Sequence, residues 1–228
     1  MAPRGVSVHT ARMTQKIDTI EELLKMADYA PKAASDLSDA AVDCIAYGCT
    51  SGSLLGGPGH NEKLLASIKK VTDIPTITTS MAVVAALKEL EIKNVCVATP
   101  YHDDINVKEK EFLERHGFKV LHIQGLSCDG PETGDLSAHV VYHHAKTAFR
   151  PGSDALFMSC TDMPSLDIIQ TLEADLGKPV VSSNTATMWM MLKQVGLGEP
   201  LSGFGKILSI PRLTGEAYEK YLIHSRAQ

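Results

Sequence analysis

Short apolar segments alternate with helical patterns along most of this chain, and this order is the strongest constraint on its fold. The segments DCIAYG (43–48), KNVCVATP (93–100) and DALFMS (154–159) are apolar and bounded by polar or turn residues. Amphipathic patterns separate them, as over 104–117, and a last helix is predicted over 215–225. Because strands that are apolar throughout are typical of parallel sheets covered by helices on both faces, the sequence predicts an α/β fold.

Part of this pattern occurs twice in the same order. DCIAYGCTS (43–51) is matched by DALFMSCTD (154–162), so that each copy has a strand followed by Cys-Thr. A strand led by proline, a turn rich in Ser and Thr, and a helix follow the first copy over 74–88 and the second over 178–193. Two copies are too few for a solenoid, which needs at least three repeats.

The repeat instead predicts two similar parallel-sheet lobes related by pseudo-two-fold symmetry. Residues 1–100 and 200–228 are assigned to the first lobe, and residues 101–199 to the second. Ligands of parallel α/β sheets bind outside the carboxyl ends of the strands. The active site is therefore expected in the cleft between the lobes.

Charge and apolar content limit the classes of function. The net charge is −5 and the pI is near 6.0, without a basic block, so no nucleic-acid partner is expected. No apolar run approaches the roughly 20 residues that span a bilayer, and the first residues lack the apolar region of a signal peptide. The sequence thus predicts a cytoplasmic protein that does not bind membranes.

Cysteine and histidine usage argues against disulfides and metals. Five cysteines without framework spacing predict reduced thiols. The chain has neither a CxxC nor an HExxH motif, and its one adjacent pair of histidines would point apart on a helix, so no metal site is predicted. Cys44 and Cys96 lie inside apolar strands and are interpreted as core residues, while Cys128 lies in a loop without a matching partner.

The remaining two cysteines, Cys49 and Cys160, occupy equivalent strand ends in the repeat, and we expect both thiols to face one site. Small polar residues and a helical pattern follow each cysteine. A free thiol has a pKa of about 8.5, and a nearby helix N-terminus lowers it. The N–H and hydroxyl groups that follow the cysteines could also hold a carboxylate without arginine or metal.

At these residues the chain resembles a known superfamily. YGCTSGS (47–53) together with MSCTDMPSLDIIQTLEADLGKPVVSSNTATMWMML (158–192) is similar to the aspartate/glutamate racemase superfamily, and most to its branch of maleate cis-trans isomerases and arylmalonate decarboxylases. VATPYHDDINVKEKEFLERHGFKVL (97–121) resembles the same branch. GVSVHTARM (5–13), whose alternation predicts a strand over 5–11, resembles the second strand of the branch's first lobe.

The resemblance implies a cofactor-independent reaction on a small carboxylate. Cys49 is similar to the cysteine that adds to the alkene of maleate, which permits rotation about the former double bond. Cys160 is similar to its acid/base partner. Substrate contacts are implied for Thr50, Ser51, Tyr101, Thr161 and Asp162.

The chain departs from the branch in two places. The strand, loop and helix that precede the GVSVHTARM segment in the branch have no counterpart, so the first sheet is expected to lack its central strand. The loop SCDGPETGD (127–135) has no clear match to an asparagine of the isomerases.

Several alternatives to a maleate-isomerase-like enzyme stay open. They are a racemase of amino acids or ectoine derivatives, an arylmalonate-type decarboxylase, and a shortened, inactive paralogue that binds small acids. The decarboxylases keep only the second-lobe cysteine, so the presence of both cysteines favours an isomerase or a racemase. The apolar segment TMWMML (187–192) fits either the core or the interface of a homo-oligomer.

Overall fold

The computed structural model describes residues 1–15 and 17–211. The strands within this part of the chain are Ile45–Tyr47 (β1), Thr76–Thr78 (β2), Asn94–Thr99 (β3), Lys119–Gly125 (β4), Ala155–Met158 (β5) and Val180–Ser182 (β6). The helices are Ile20–Asp39 (α1), Thr50–Leu54 (α2), His60–Lys69 (α3), Thr79–Glu89 (α4), Asp103–Arg115 (α5), Gly130–Gly134 (α6), Ala138–Ala148 (α7), Ile169–Leu176 (α8), Ser183–Gln194 (α9) and Lys206–Ser209 (α10). The helix predicted over 215–225 lies outside the described residues.

Local signals in the sequence account for several element ends. The Thr19 hydroxyl accepts a hydrogen bond from the Glu22 N–H at 3.3 Å and caps α1. Gly177 ends α8 with φ at 63°, a left-handed conformation that glycine adopts without steric cost. These caps satisfy backbone groups that would otherwise have no partner within the helix.

The strands form two parallel sheets. β1 pairs with β2, while the second sheet has the order β4-β3-β5-β6. Helices α7 and α8 cover one face of the second sheet, and α5 and α9 cover the other. The predicted α/β class with parallel sheets is confirmed.

The sheet boundary differs from the predicted lobe boundary at residue 100. β3 was assigned to the first lobe, but it is an inner strand of the second sheet, where it hydrogen-bonds to β4 and β5. Residues 200–211 were also assigned to the first lobe, yet α10 packs against α9 and β6. The difference at β3 arises because apolar strands resemble one another in sequence, whereas their pairing depends on distant residues.

The segment over 5–11 was predicted to be a strand, and this prediction was wrong. These residues have no regular secondary structure, and Val8 is 67% exposed. A strand is stable only when its N–H and C=O groups pair with a neighbour. The only strand that β1 pairs with in the described part of the chain is β2, so the segment over 5–11 runs beside the site without joining a sheet.

The two sheets share one hydrophobic core. α4 and α9, the equivalent helices of the repeat, pack directly against each other. The buried Lys193 ammonium contacts the Glu89 carboxylate at 3.2 Å and lies 4.5 Å from the Trp189 ring centroid, which ties the two helices together. No helix among the described residues is both long and apolar enough to cross a bilayer.

Candidate active site

The two repeated strand ends meet at one cavity. Cys49 follows β1 and Cys160 follows β5, and both line a cavity of about 1040 Å³. Tyr101, Thr161 and Asp162 line it as well. The predicted convergence of two thiols from equivalent positions on one concave site is therefore present.

Cys49 lies at the beginning of a helix and is almost fully buried. It is the N-cap residue of α2, and its Sγ accepts a hydrogen bond from the Gly52 N–H at 3.3 Å. The Ser51 hydroxyl lies 3.7 Å from the same sulfur. The buried Tyr47 hydroxyl has no hydrogen-bond partner among the described residues, and a charge on Cys49 raises its pKa. The Cys49 sulfur thus has two nearby donors within its own half of the molecule.

Cys160 has a different backbone environment. Its φ is 102°, a left-handed value that is strained for a residue with a side chain. The Cys160 N–H donates to the Ser183 hydroxyl at 3.1 Å, and its Sγ accepts from the Asp162 N–H at 3.4 Å. Residues 161–165 have no helical structure, and the helical pattern expected after the small polar residues begins with a 3₁₀ turn at Leu166.

Burial dominates the pKa of both thiols. It raises the pKa of Cys160 to about 12 and also raises the pKa of Cys49. The Gly52 N–H and Ser51 lower the pKa of Cys49, and the Asp162 N–H and Tyr101 lower that of Cys160, but these effects are smaller. The donors near each sulfur lower its pKa as expected, but removal from water outweighs them, so the pKa of both thiols lies above the ordinary value.

Hydroxyl groups connect the two halves between the thiols. The Thr50 hydroxyl donates to the Ser183 hydroxyl at 2.8 Å, and Ser183 also accepts from the Cys160 backbone. The Thr161 hydroxyl donates to the Gly48 carbonyl at 3.1 Å. These contacts fix the end of β1 relative to the end of β5, and so fix the relative position of the two cysteines.

Tyr101 is held rigidly at the cavity wall. Its N–H donates to the Thr99 hydroxyl at 3.2 Å, and its carbonyl accepts from the Asn106 amide of α5 at 3.3 Å. A side chain at Gly125 would meet the Tyr101 carbonyl at 2.0 Å, so glycine is needed for this close approach. The side chain of Tyr101 is 3% exposed, and its hydroxyl interacts with Cys160.

The other predicted site residues also line the cavity, but they differ in exposure and in whether their side chains are already hydrogen-bonded. Thr50 and Ser51 are buried, and the Thr50 hydroxyl is engaged with Ser183. Thr161 uses its hydroxyl to bridge the halves, whereas Asp162 is exposed at the rim. The roles of these residues in binding stay predictions.

Sequence reasoning did not assign several other cavity residues. Arg12, Gln15 and Asp18 come from the segment before α1, and Thr187 comes from α9. Asn184 lies in the first turn of α9, shortly after β6; it lines the cavity, and its amide donates to the Thr161 carbonyl at 2.9 Å. Its position near a strand end, equivalent to that of Ser80 in the first copy of the repeat, was the available signal.

The thiols other than Cys49 and Cys160 differ in their surroundings. Cys44 and Cys96 are buried, as the apolar strands indicated, and Cys128 is half-buried. Burial raises the pKa of Cys44 to about 11. Within the described part of the chain, no three His, Cys, Asp or Glu residues are grouped so that they could hold a metal ion.

Comparison with known proteins gives a consistent result. The family model for arylmalonate decarboxylase matches residues 15–208. The chain is 32% identical over 208 residues to maleate isomerase of Alcaligenes faecalis, which covers 88% of this chain and 82% of that protein. It is 31% identical over 162 residues to arylmalonate decarboxylase of Bordetella bronchiseptica, which covers 69% and 68% of the two chains.

Solved structures agree with these sequence matches. Maleate isomerase Iso of Pseudomonas putida S16, solved as a cysteine-to-alanine variant with maleate, is 28% identical with a TM-score of 0.84, over 91% of this chain and 86% of that chain. A cysteine-to-serine variant of Nocardia farcinica maleate cis-trans isomerase, with a covalently bound succinylcysteine intermediate, is 26% identical with a TM-score of 0.86, over 91% and 88%. With a family match across most of its length and two thiols on one cavity, this chain belongs to the arylmalonate decarboxylase family.

Proposed function

We propose that this protein is a cofactor-independent isomerase that converts maleate to fumarate with a pair of cysteines. The observation that carries the proposal is the convergence of Cys49 and Cys160 on one cavity from equivalent strand ends. The succinylcysteine intermediate of the Nocardia relative supports a covalent route through a thiol. The presence of both cysteines favours isomerisation over decarboxylation.

Cys49 is the nucleophile in this proposal. Its thiolate adds to one alkene carbon of maleate, and the electron pair of the double bond moves to the neighbouring carbon, where the adjacent carboxylate stabilises it. Cys160 then donates its proton to that carbon. A succinyl thioether of Cys49 and a thiolate of Cys160 result, so that charge and protons balance.

Rotation and elimination complete the cycle. The carbon–carbon bond is single in the adduct and can rotate until the carboxylates lie trans. The Cys160 thiolate removes the proton from the same carbon, the double bond re-forms, and Cys49 leaves as a thiolate. Both cysteines return to their starting state, so the reaction needs no electron acceptor or added cofactor.

The surroundings of the sulfurs fit these two roles. The Gly52 N–H and the Ser51 hydroxyl both face Cys49, and such donors stabilise a thiolate. Burial raises the pKa of Cys160 to about 12, and this favours return of a proton to its thiolate. Thr50 and Thr161 follow the two strand ends and line the cavity, which supports a role for them in binding the substrate carboxylates.

A direct assay tests the proposal. Purified protein is incubated with maleate, and fumarate is followed by proton NMR, beside Cys49→Ala and Cys160→Ala variants of matched folding. We expect fumarate from the native protein and none above background from either variant. Phenylmalonate, aspartate and glutamate are tested in parallel, with release of carbon dioxide or exchange of the Cα proton in deuterated water as readouts. Turnover of one of these but not of maleate would refute the isomerase.

Two further expectations stay predictions. A cytoplasmic location and a homo-oligomer follow from the sequence patterns alone. Light scattering of the purified protein in solution would measure the oligomeric state, and fractionation of the source cells would give the location.

A further inference from the structure

Three neighbouring strands of the second sheet each contribute to the cavity beyond their carboxyl ends. The strands lie side by side in the order β4-β3-β5. Tyr101 follows β3, Cys160 follows β5, and both line the cavity. The segment that connects β4 to α7 contributes Thr133 of α6. Because the carboxyl ends of parallel strands lie at one edge of a sheet, Thr133 belongs to the same wall of the cavity as Cys160.

The Thr133 hydroxyl is a buried polar group without a partner in the protein. The residue is 1% exposed, and its side-chain oxygen has no hydrogen-bond partner among the described residues. Tyr47 shares both properties and also lines the cavity, but it lies beside Cys49 in the other half of the molecule. A buried hydroxyl without a hydrogen bond is unfavourable, so such groups in folded proteins usually have a partner. A ligand in the cavity is the partner that this wall offers.

Hydrogen bonds fix α6 against the segment between β3 and α5. The Cys128 N–H donates to the Pro100 carbonyl at 2.8 Å, shortly before α6 begins. The His102 ring contacts the Asp129 carboxylate at 3.0 Å. Both contacts flank the tyrosine of the cavity wall in sequence. The position of Thr133 is therefore set by the same segment that holds this tyrosine, and its hydroxyl is preorganised for a ligand.

We propose that Thr133 binds one carboxylate of a diacid substrate, on the Cys160 side of the cavity. The groups that follow Cys49 bind the other carboxylate. The Thr133 hydroxyl donates to a carboxylate oxygen, which only accepts hydrogen bonds at neutral pH. A hydrogen bond to an ionised acceptor is about twice as strong as one between neutral groups. The role rests on the proposed function.

In this role Thr133 is a specificity determinant that favours acids with two carboxylates. A diacid gives the buried hydroxyl its missing partner. An acid with a single carboxylate, held at the Cys49 side, leaves the hydroxyl unpaired and places a methyl group against it. Thr133 makes no bond to carbon, and its proton stays on the hydroxyl throughout the cycle.

Binding of two unreactive acids tests this role. Succinate and butyrate have the same number of carbons but differ in the second carboxylate, and neither has an alkene that a thiol could attack. Their Kd values are measured by ligand-observed NMR titration of the native protein and of Thr133→Val, which keeps the side-chain shape and removes the hydroxyl. We expect the Kd of succinate to rise about tenfold and that of butyrate to change less than about twofold. Equal changes for both acids, an unchanged Kd of succinate, or no binding of succinate to the native protein would overturn the proposal.

Two further variants and a stability measurement separate binding from structure. Thr133→Ser keeps the hydroxyl, so its Kd of succinate should stay within about threefold of the native value. Thr147→Val removes a hydroxyl of α7 that donates to the His144 carbonyl at 2.9 Å, and it should bind both acids as the native protein does. The urea midpoint of Thr133→Val should not fall, because its hydroxyl has no partner to lose. A marked loss of stability would assign the hydroxyl a structural role and overturn the proposal.

Kinetics with maleate distinguish this role from the isomerase activity itself. We expect Thr133→Val to raise KM about tenfold and to change kcat less than about threefold, since the hydroxyl binds the substrate and the adduct alike. Turnover with an unchanged KM would support the isomerase and overturn the role of Thr133. A protein that does not convert maleate, but loses affinity for succinate in Thr133→Val, would refute the isomerase and leave the diacid site intact.

Discussion

The two cysteine regions share the sequence Cys-Thr and the position at a strand end, but their surroundings differ. Cys49 caps a helix, has an extended backbone with φ at −138°, and receives the Gly52 N–H. Cys160 is held in a left-handed conformation, no helix directly follows it, and it lies beside Tyr101. The repeat thus accounts for the position of each sulfur at a strand end, whereas the backbone and the neighbouring groups differ between the two copies.

This difference assigns separate tasks to chemically identical groups. Cys49 has its donors in its own half and fits a nucleophile. Cys160 also interacts with Tyr101, which lies outside the repeat. In our proposal, this difference in surroundings lets one thiol attack carbon while the other exchanges a proton.

Replacement of each cysteine by serine should have the largest effects on turnover and should distinguish the two cysteine regions most clearly. We expect both Cys49→Ser and Cys160→Ser to lower kcat for maleate by about 10³-fold or more, since each removes a reacting group. Only Cys160→Ser should accumulate a maleate adduct, because its nucleophile is intact. Mass spectrometry of the intact protein after incubation with maleate distinguishes the two, and an adduct on Cys49→Ser instead would reverse the assigned roles.

Glu109 of α5 is fully buried, and its carboxyl has no hydrogen-bond partner among the described residues, so it should make the stability of the protein depend on pH. The pKa of Glu109 is raised to about 7 from 4.5, so the folded protein binds more protons than the unfolded chain between these values. The free energy of unfolding should therefore fall by about 3 kcal/mol as pH rises through this range, and stay at the lower level above it.

Urea unfolding of the native protein and of Glu109→Gln between pH 4 and pH 8 measures this contribution. The difference between their pH profiles isolates Glu109, because the other groups titrate in both proteins. Parallel profiles would show that the acid is ionised as easily in the fold as outside it.

A substitution at Gly52 provides the corresponding test in the region around Cys49. An added Cβ would meet the Tyr47 hydroxyl at 2.8 Å and the Cys49 sulfur at 3.1 Å. We expect Gly52→Ala to displace the sulfur and to lower kcat about 10- to 100-fold, with a loss of about 1–3 kcal/mol in stability. Steady-state kinetics with denaturant unfolding would measure both. Gly134→Ala, which meets nothing within 4 Å, is the control and should behave like the native protein.

Glycine at each cysteine position should have opposite effects on stability. At Cys160, with φ at 102°, glycine relieves backbone strain, so Cys160→Gly should be about 1 kcal/mol more stable than Cys160→Ala. At Cys49, whose φ is ordinary, Cys49→Gly should be less stable than Cys49→Ala by about 0.5–1 kcal/mol. Thermal or urea unfolding of the four variants measures the stability difference between glycine and alanine at each position. If this difference has the same sign at both positions, the two cysteines do not differ in backbone strain.

The sequence was sufficient for the fold class and for the placement of both thiols. Apolar strands followed by helices are a local signal, and the double Cys-Thr pattern located Cys49 and Cys160 at one cavity. Tyr101 came from the resemblance to a family, since nothing in its own segment indicates that it reaches a distant cysteine.

Features that depend on long-range pairing could not be predicted. The strand expected over 5–11 has the right alternation but lacks a partner, and β3 joins the second sheet through contacts that its own residues do not specify. The raised pKa of both thiols follows from burial by other elements, whereas the sequence shows only the donors nearby. Glu109 did leave a local signal, as an acid on the apolar stripe of a helix.

The shared hydroxyl of Ser183 has a consequence for the evolution of substrate size. It touches Thr50 beside one thiol and the backbone of Cys160 at the other, so it acts as a spacer between the two reacting centres. A substitution that lengthens or removes this single group would alter the gap that an acid must bridge. A substitution at Ser183 alone would thus change the length of the acid that the site accepts, while both sheets keep their structure.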